Sequence, residues 1–261
     1  MKFATVGDNC VDAYECLGTY YLGGNPVNVG VYLARMGAEV SYTGVVGDDE
    51  YGDIMRNSLA KKGVDVSHVR TLPGSTAVTK VDLVNGDRVF TDYIEGVLAD
   101  FKLTDEDVDF LCSHDLVITG IWGMIENDLH KIKERGVPIA FDFSDQPEHE
   151  IVDKAIGHVK YAFFSDDRGD TPELRAFMER RKAQGPELVV VTMGDQGSLC
   201  YDGETFHKFG ILPCEVVDTM GAGDSYIAGF LLAHMQGFSI EECMIKGAES
   251  SGVTLGYQGA W

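Results

Sequence analysis

The chain has 261 residues, of which 44% are apolar, enough for one large α/β domain or two small ones. Its formal net charge of −21 disfavours nucleic acid and anionic lipid as partners, so any anion site must act locally, through backbone N–H groups and a metal ion. No uninterrupted apolar run of about 18 residues suggests a membrane span, and Asp8 comes too early for a secretory signal. The six cysteines are scattered and form no C-x-x-C pair, which favours reduced thiols and a cytoplasmic protein.

Short apolar runs alternate along the chain with segments of helical spacing. The runs predict strands at 3–6, 40–46, 116–119, 139–143, 161–164 and 188–192. The helical spacing predicts helices at 27–36, 51–62, 127–134 and 172–181, closed by Gly37, Gly63, Gly136 and Gly185. This alternation predicts an α/β fold with a mostly parallel sheet flanked by helices on both faces.

Two stretches, 12–22 and 77–94, break the alternation because their residue pattern is typical of antiparallel strands. Asn85-Gly86 in the second stretch is a strong signal for a hairpin turn. We expect the two stretches to form a small β-sheet lid inserted into a single domain that spans residues 1–261. The exposed edges of such a lid can pair with a second copy of the chain, which makes a homodimer plausible.

One motif near the carboxyl end combines glycines, acids and a helix start. Asp218-Thr219-Met220-Gly221-Ala222-Gly223-Asp224 leads into an apolar stretch, 225–235, that predicts a helix. Unpaired N–H groups at a helix start attract phosphate oxygens, and glycines let a ligand approach the backbone. Asp224 can simply cap the helix. Capping does not account for the glycines before a mostly apolar helix, so we favour phosphate chemistry with Asp224 as proton acceptor.

A second cluster of glycines and polar residues lies near the amino end. Gly23-Gly24 comes shortly before Asn28 at a helix start, and Asp12 precedes both. Taken alone, these residues can be a tight turn, a solvent-facing amide and a loop acid. They follow predicted strands, however, and open α/β sheets bind ligands beyond the carboxyl ends of their strands. An acid and an amide can bind hydroxyl groups, so a polyhydroxylated substrate suits the cluster.

Four motifs, in this order along the chain, together carry a family resemblance. They are Gly23-Gly24 with Asn28, Gly47-Asp48-Asp49 with Gly52, Thr192-x-Gly194-x-x-Gly197, and Asp218-Thr219-x-Gly221-Ala222-Gly223-Asp224. The chain resembles the ribokinase-type (PfkB) carbohydrate kinases over nearly its whole length, which implies a ribokinase-like fold, ATP and Mg²⁺. Finer features resemble the fructoselysine 6-kinases within this family, which phosphorylate the 6-hydroxyl of a sugar-derived Amadori compound. Among these features are Gly7-Asp8-Asn9-Cys10-Val11-Asp12, Phe141-Asp142-Phe143-Ser144-Asp145 and Gly259-Ala260-Trp261.

The resemblance implies roles for particular residues. Asp224 would be the catalytic base, and the backbone of Gly221, Ala222 and Gly223 would form an anion hole for the transferred phosphoryl group. The implied substrate-binding residues are Asp12, Gly23, Gly24 and Asn28. The implied ATP-binding residues are Thr192, Gly194, Gly197, Gly221 and Gly223. Asp218 and Thr219 lie where some relatives bind a monovalent cation such as K⁺, although shaping the turn before the helix explains them at least as well.

Arg88 lies beside the predicted hairpin turn. It can clamp a substrate carboxylate or merely form a surface ion pair. The first function is attractive because fructoselysine carries an amino-acid end.

One region departs from the family pattern. Many relatives carry an Asn-x-x-Glu motif that organises magnesium and phosphate, whereas Ser165-Asp166-Asp167-Arg168 stands here. Asp166 or Asp167 can orient water on Mg²⁺, but either can equally be a solvated loop acid or a helix cap.

Several alternatives stay open on sequence grounds. The substrate can be ribose, fructose, deoxy-gluconate or a nucleoside, and a non-catalytic sugar or nucleotide sensor can share the fold. A nicotinamide-dependent dehydrogenase is disfavoured because no G-x-G-x-x-G turn follows the first predicted strand.

Overall fold

The computed structural model describes residues 1–14, 18–84 and 87–261, without the side chains of 83–90. The strands are β1 (Lys2–Val6), β2 (Cys10–Tyr14), β3 (Thr19–Gly23), β4 (Glu39–Gly47), β5 (Val64–Asp65), β6 (Val69–Leu72), β7 (Val78–Val84), β8 (Asp87–Ile94), β9 (Leu116–Gly120), β10 (Ile139–Asp142), β11 (Tyr161–Ser165), β12 (Leu188–Thr192), β13 (Ser198–Tyr201) and β14 (Phe206–Phe209). The α-helices are α1 (Asn25–Arg35), α2 (Glu50–Lys61), α3 (Asp105–Leu111), α4 (Leu129–Glu134), α5 (Glu150–Ala155), α6 (Pro172–Ala183), α7 (Ala222–Met235) and α8 (Ile240–Leu255).

The large sheet has the strand order β14-β13-β12-β11-β10-β9-β1-β4-β5, and β6 also pairs with β4. All neighbours from β5 to β12 are parallel, whereas β13 and β14 are antiparallel additions at one edge. The prediction of a mostly parallel sheet is therefore confirmed. Its central strands are continuous apolar runs because parallel strands are covered on both faces.

Alternate residues of each central strand pack on opposite helical layers. Leu116 and Ile118 of β9 face the core formed with α1, α2, α7 and α8, whereas Val117 faces the core formed with α3, α4, α5 and α6. The sequence pattern did not predict α3, α5 and α8, of which α3 and α5 are short. Helix α1 begins at Asn25, two residues before the predicted start, with Pro26 in its first turn.

A separate four-stranded sheet has the order β3-β2-β7-β8 and is built from the two stretches that break the alternation. Strands β7 and β8 are antiparallel, as the hairpin prediction requires, while Asn85-Gly86 itself lies outside the described residues. We call this element the small sheet.

Acidic side chains at the start of α2 hold the connection to the small sheet. Asp49 caps α2 by accepting from Gly52 N at 2.9 Å, and its carboxylate also accepts from Thr76 N at 2.9 Å and from Thr76 Oγ1 at 2.6 Å. The Oδ1 atom of Asp48 accepts from Gly74 N at 2.8 Å. The Gly47-Asp48-Asp49 motif therefore fixes the segment that enters β7.

Among the helices of 1–14, 18–84 and 87–261, none combines the length and the apolar character that a membrane span requires. The cysteines that the structure describes are unpaired thiols, and Cys16 lies outside them.

Candidate active site

Two asparagines hold the Asp224 carboxylate in the first turn of α7. Asn25 Nδ2 donates to Asp224 Oδ1 at 2.7 Å, and Asn28 Nδ2 donates to Asp224 Oδ2 at 2.7 Å. Both asparagines belong to the first turn of α1, which packs on α7. The two helix starts thus meet, and the carboxylate is fixed between them.

Two further carboxyl groups, those of Asp142 and Asp8, lie near Asp224. Asn25 Nδ2 also donates to Asp142 Oδ2 at 2.8 Å, so one amide bridges Asp142 and Asp224. Asp142 ends β10, and its Oδ1 accepts from Ser144 N at 2.8 Å. Asp8 follows β1 and is only 7% exposed. Three acids from distant parts of the chain therefore share one partly enclosed site.

Burial raises the pKa of all three acids, and repulsion by the Asp224 charge adds to the rise for Asp142 and Asp8. Burial raises the pKa of Asp224 to about 6, while hydrogen bonds from Asn28 and Asn25 limit the rise. Burial, together with the charge of Asp224, raises the pKa of Asp142 to about 7 and the pKa of Asp8 to about 7. The two amide donors favour the ionised form of Asp224, and a pKa of about 6 suits a general base near neutrality.

The backbone before Asp224 leaves N–H groups available. Gly221 precedes α7 in the left-handed conformation, with φ of 74°, and a Cβ there would collide with Tyr32 Oη. Ser225 N donates to Gly221 O at 2.8 Å, but within the described ranges the N–H groups of Gly223 and Asp224 find no acceptor. The carboxylate of Asp224 accepts from two side-chain amides and caps no backbone group of α7. Asp224 is therefore not a side-chain cap of α7, and the free N–H groups of this helix start are suited to bind an anion.

The structure places the double glycine and Asp12 at the edge of the same site. Gly24 has φ of 109°, and a Cβ there would lie 2.7 Å from Asn9 Cα. Only glycine therefore fits where the backbone passes Asn9. A Cβ on Gly23 would lie 3.9 Å from Asp12 Oδ2, which places the Asp12 carboxylate beside this turn. Arg88 lies in β8 opposite Leu83, and its side chain is outside the described residues.

The Thr192-x-Gly194-x-x-Gly197 motif forms the turn between β12 and β13. This turn is tied to α7 because Tyr226 Oη donates to Ser198 Oγ at 2.8 Å, directly after Gly197. The loop that follows β11 lies beside it. Asp166 N donates to Thr192 O at 2.9 Å, and a Cβ on Gly194 would lie 3.0 Å from Asp167 Oδ1.

Asp166 and Asp167 differ in their surroundings. Arg168 binds Asp166 through Nε at 2.9 Å and through Nη2 at 2.7 Å, and this pairing lowers the pKa of Asp166. Asp167 lies nearer the glycine turn, and its backbone carbonyl accepts from Gln196 Nε2 at 3.0 Å. The altered Ser165–Arg168 segment thus contributes one ion-paired acid and one acid beside Gly194.

Asp218 holds Gln258 and Gly259 close to the turn before α7. Its Oδ1 accepts from Met220 N at 2.9 Å, and its Oδ2 accepts from Gln258 Nε2 at 2.8 Å and from Gly259 N at 2.9 Å. Thr219 is exposed, and its carbonyl accepts from Ala222 N at 3.3 Å. These bonds support the turn-shaping role of the pair, and they position Trp261, whose Nε1 donates to Asn28 Oδ1 at 2.8 Å.

Sequence reasoning gave no site role to Asn25, Asp142, Asp8 or Trp261, although three of them fell in segments noted for their family resemblance. Asp142 ends a predicted strand, and Asn25 stands between Gly24 and Pro26 at a helix start. Position at a strand end or a helix start is thus the signal that these residues offered.

The chain is similar to known carbohydrate kinases. The model of the pfkB family of carbohydrate kinases matches residues 17–261. The chain is 43% identical over 258 residues to the fructoselysine 6-kinase of Escherichia coli (strain K12), covering 99% of this chain and 98% of that protein. It is 35% identical over 265 residues to the fructosamine kinase FrlD of Bacillus subtilis (strain 168), covering 100% of this chain and 93% of that protein.

The fold is similar to that of Arabidopsis thaliana ribokinase, solved with ribose and ATP, with a TM-score of 0.86 and 21% identity. That match covers 99% of this chain and 93% of the ribokinase. A putative ribokinase II from E. coli, solved with ATP and Mg²⁺, matches with a TM-score of 0.83, 21% identity and coverage of 99% and 94%. The family match over almost the whole chain, together with the two curated relatives, shows that this chain belongs to the pfkB family of carbohydrate kinases.

Proposed function

We propose that this protein transfers the γ-phosphoryl group of ATP to the 6-hydroxyl of a fructosamine, with fructoselysine as its substrate. The relatives at 43% and 35% identity are a fructoselysine 6-kinase and a fructosamine kinase, and each is matched over nearly its full length. These relatives support the choice of a fructosamine over a simple hexose, a pentose or a nucleoside.

The observation that carries the proposal is the first turn of α7. Asp224 is held by two amides, while the N–H groups of Gly223 and Asp224 find no acceptor in the described part of the chain. A proton acceptor and an anion site thus lie within one helical turn. Phosphoryl transfer needs chiefly positioning and stabilisation of charge, so this pairing is chemically sufficient.

In the proposed reaction, the substrate 6-hydroxyl loses its proton to Asp224 while its oxygen attacks the γ-phosphorus of ATP. The bond from that phosphorus to the β,γ-bridging oxygen breaks, which gives the sugar 6-phosphate and ADP. Asn25 and Asn28 keep the Asp224 carboxylate oriented. The backbone of Gly221, Ala222 and Gly223 stabilises the equatorial oxygens of the transferred group. Within the described residues the Gly223 N–H is free for this role, whereas the Ala222 N–H donates to Thr219 O at 3.3 Å.

Thr192, Gly194 and Gly197 are proposed to contact ATP, in a turn that the Tyr226–Ser198 hydrogen bond ties to α7. Mg²⁺ prefers oxygen ligands and keeps several waters, and it would neutralise charge on the ATP phosphates. Asp167 suits this ion, because it lies beside Gly194 whereas Asp166 is paired with Arg168.

Asp12, Gly23, Gly24 and Asn28 are proposed to bind the sugar hydroxyls. The small sheet carries Asp12 and Gly23, so we propose that it is a lid that covers the sugar and excludes water. In this view residues 1–261 form one kinase domain with the lid inserted at about 12–22 and 77–94.

A screen of ADP release tests the function. Fructoselysine, fructose, ribose, deoxy-gluconate and a nucleoside are each supplied with ATP and Mg²⁺, and the position of the phosphate is read by ³¹P–¹H NMR. We expect turnover of fructoselysine with phosphate on O6. Turnover of a simple hexose without fructoselysine would refute the substrate, and binding of sugar without any ADP release would favour a sensor.

Two finer proposals concern assembly and ions. Strands β3 and β8 are the edges of the small sheet, so we propose that they pair with a second copy in a homodimer, which light scattering would detect as a doubled mass.

We also propose a monovalent cation such as K⁺ beside Asp218 and Thr219. A rise in kcat when KCl replaces choline chloride would support it, and an unchanged kcat would leave these residues with the turn-shaping role alone.

A further inference from the structure

A groove of about 280 Å³ lies between β3, the end of α2 and Trp261. The residues that line it combine aromatic rings, one aliphatic side chain, a hydroxyl group and two lysines: Tyr20, Tyr21, Leu22, Ser58, Lys61, Lys62 and Trp261. None of the roles proposed above uses this groove.

The groove adjoins the proposed sugar site. Trp261 lines the groove and donates from Nε1 to Asn28 Oδ1 at 2.8 Å, and Asn28 in turn holds Asp224. On the other side, Leu22 directly precedes Gly23, and Tyr21 lies opposite Asp12 in the β2–β3 pair. A ligand that leaves the sugar site past Trp261 therefore enters the groove.

Its charge is opposite to that of the protein as a whole. The chain has 42 acids against 21 bases, yet the described residues that line the groove include two lysines and no acid. Within the described ranges neither Lys61 nor Lys62 forms an ion pair, and Lys62 Nζ lies 5.7 Å from the centre of the Trp261 ring. Two adjacent cations without carboxylate partners, in a concave surface with tyrosine and serine hydroxyl groups, suit a carboxylate.

We infer that this groove binds the α-carboxylate of the amino-acid part of the substrate, with Lys61 and Lys62 as its cations. The inference rests on the proposed function, because it requires a fructosamine with an amino-acid end. In fructoselysine the chain from the sugar C1 to the carboxylate carbon has seven bonds and spans about 9 Å when extended. That arm is long enough to pass Trp261, whose ring and Leu22 would cover its methylene groups.

The test compares two substrates that differ only in this carboxylate. Fructoselysine and its decarboxylated analogue, fructosyl-cadaverine, are assayed with the wild type, with the Lys61→Gln/Lys62→Gln double variant, with Arg88→Gln and with Lys154→Gln. Lys154 is an exposed lysine on α5, on the opposite helical layer, and serves as the matched control. Both groove lysines are exposed, so their replacement should leave the fold intact, which thermal unfolding verifies.

We expect the wild type to show a KM for fructosyl-cadaverine about tenfold above its KM for fructoselysine, since charge-assisted hydrogen bonds exceed neutral ones and exposure reduces the gain. The double variant should raise the KM for fructoselysine about tenfold, keep kcat, and leave the KM for fructosyl-cadaverine unchanged. Lys154→Gln should behave as the wild type.

Three outcomes would overturn the inference. Equal KM values of the wild type for both substrates would mean that the carboxylate is not recognised. An equal rise of both KM values in the double variant would indicate a general effect on the site. Selective loss in Arg88→Gln, with none in the double variant, would assign the carboxylate to Arg88. These results all leave fructoselysine turnover in place, whereas its absence beside turnover of a hexose would refute the proposed substrate itself.

Discussion

An acid lies at the start of both α2 and α7, but the two acids behave differently. Asp49 precedes α2, and its carboxylate accepts hydrogen bonds from Gly52 N and from both the N–H and the hydroxyl of Thr76. Asp224 lies within the first turn of α7, accepts from Asn25 and Asn28, and leaves the backbone of that turn open.

The pKa values of Asp49 and Asp224 are shifted in opposite directions. Burial opposes ionisation of Asp49, yet hydrogen bonds from Thr76 and Gly52 prevail and lower its pKa. Burial raises the pKa of Asp224 to about 6, and its amide partners only limit the rise. An acid at a helix start is therefore structural when it accepts from that helix and chemically useful when other elements hold it.

Asp224→Asn should produce the largest effect. Without a general base, kcat should fall by about 10²–10⁴, whereas the midpoint of thermal unfolding should change little because relief of a buried charge offsets the lost hydrogen bond. ADP release and calorimetry on the same preparation would measure both. A variant with normal kcat would remove Asp224 from the reaction and revive a non-catalytic function.

The pH dependence of kcat/KM should show the state of Asp224. As pH falls through about 6, protonation removes the acceptor, so activity should drop about tenfold per pH unit below that point. Asn28→Ala removes a hydrogen bond that stabilises the ionised form, so the pKa should rise and the acid limb should move to higher pH. An acid limb near pH 4 in both proteins would contradict the raised pKa of Asp224.

Asp49→Ala tests the other half of the comparison. Loss of a helix cap costs about 1–2 kcal/mol, and further hydrogen bonds to Thr76 are lost with it, so the melting temperature should fall by about 2–8 °C. Below the transition, kcat should stay near that of the wild type, because the side-chain partners of Asp49 in the described part of the chain are Gly52 and Thr76, to which no site role is assigned. A loss of kcat as large as that of Asp224→Asn would show that the two acids are not divided in this way.

Trp261→Phe should have the smallest effect. It keeps an aromatic ring but removes the donor to Asn28 Oδ1, and a single neutral hydrogen bond is worth about 0.5–1.5 kcal/mol. We expect kcat/KM to fall roughly 2–10-fold. Trp122→Phe is the matched control because Trp122 is 50% exposed, and equal behaviour of the two variants would exclude a role for the Nε1 donor.

Local pattern was sufficient for the apolar central strands and for helices of two turns or more with clear helical spacing. The predicted strand 188–192 agrees with β12, and the predicted helix 51–62 agrees with α2 to within one residue. Short elements were missed, such as α5 with its six residues, because so few residues give a weak periodic signal.

In the candidate site too, the sequence could predict some residues and not others. Asp224 and the glycines before it stand in one contiguous motif, so the sequence could predict an anion site and a proton acceptor there. Asn25 gave no such signal, because its role depends on contact with Asp224, 199 residues away, and on the bridge to Asp142. Side-chain hydrogen bonds between distant elements exist only once packing has joined those elements.

By itself the sequence determined the alternation of central strands with several of the helices, the family and the position of an acid in the first turn of α7. Only the tertiary structure decided that Asp49 is a cap tied to Thr76, that Asp224 is no cap, and that Asp8 and Asp142 join it. It also placed Lys61 and Lys62 next to Trp261 in one groove. The physical reason is that burial, charge repulsion and hydrogen-bond partners are properties of neighbours in space, which local sequence does not specify.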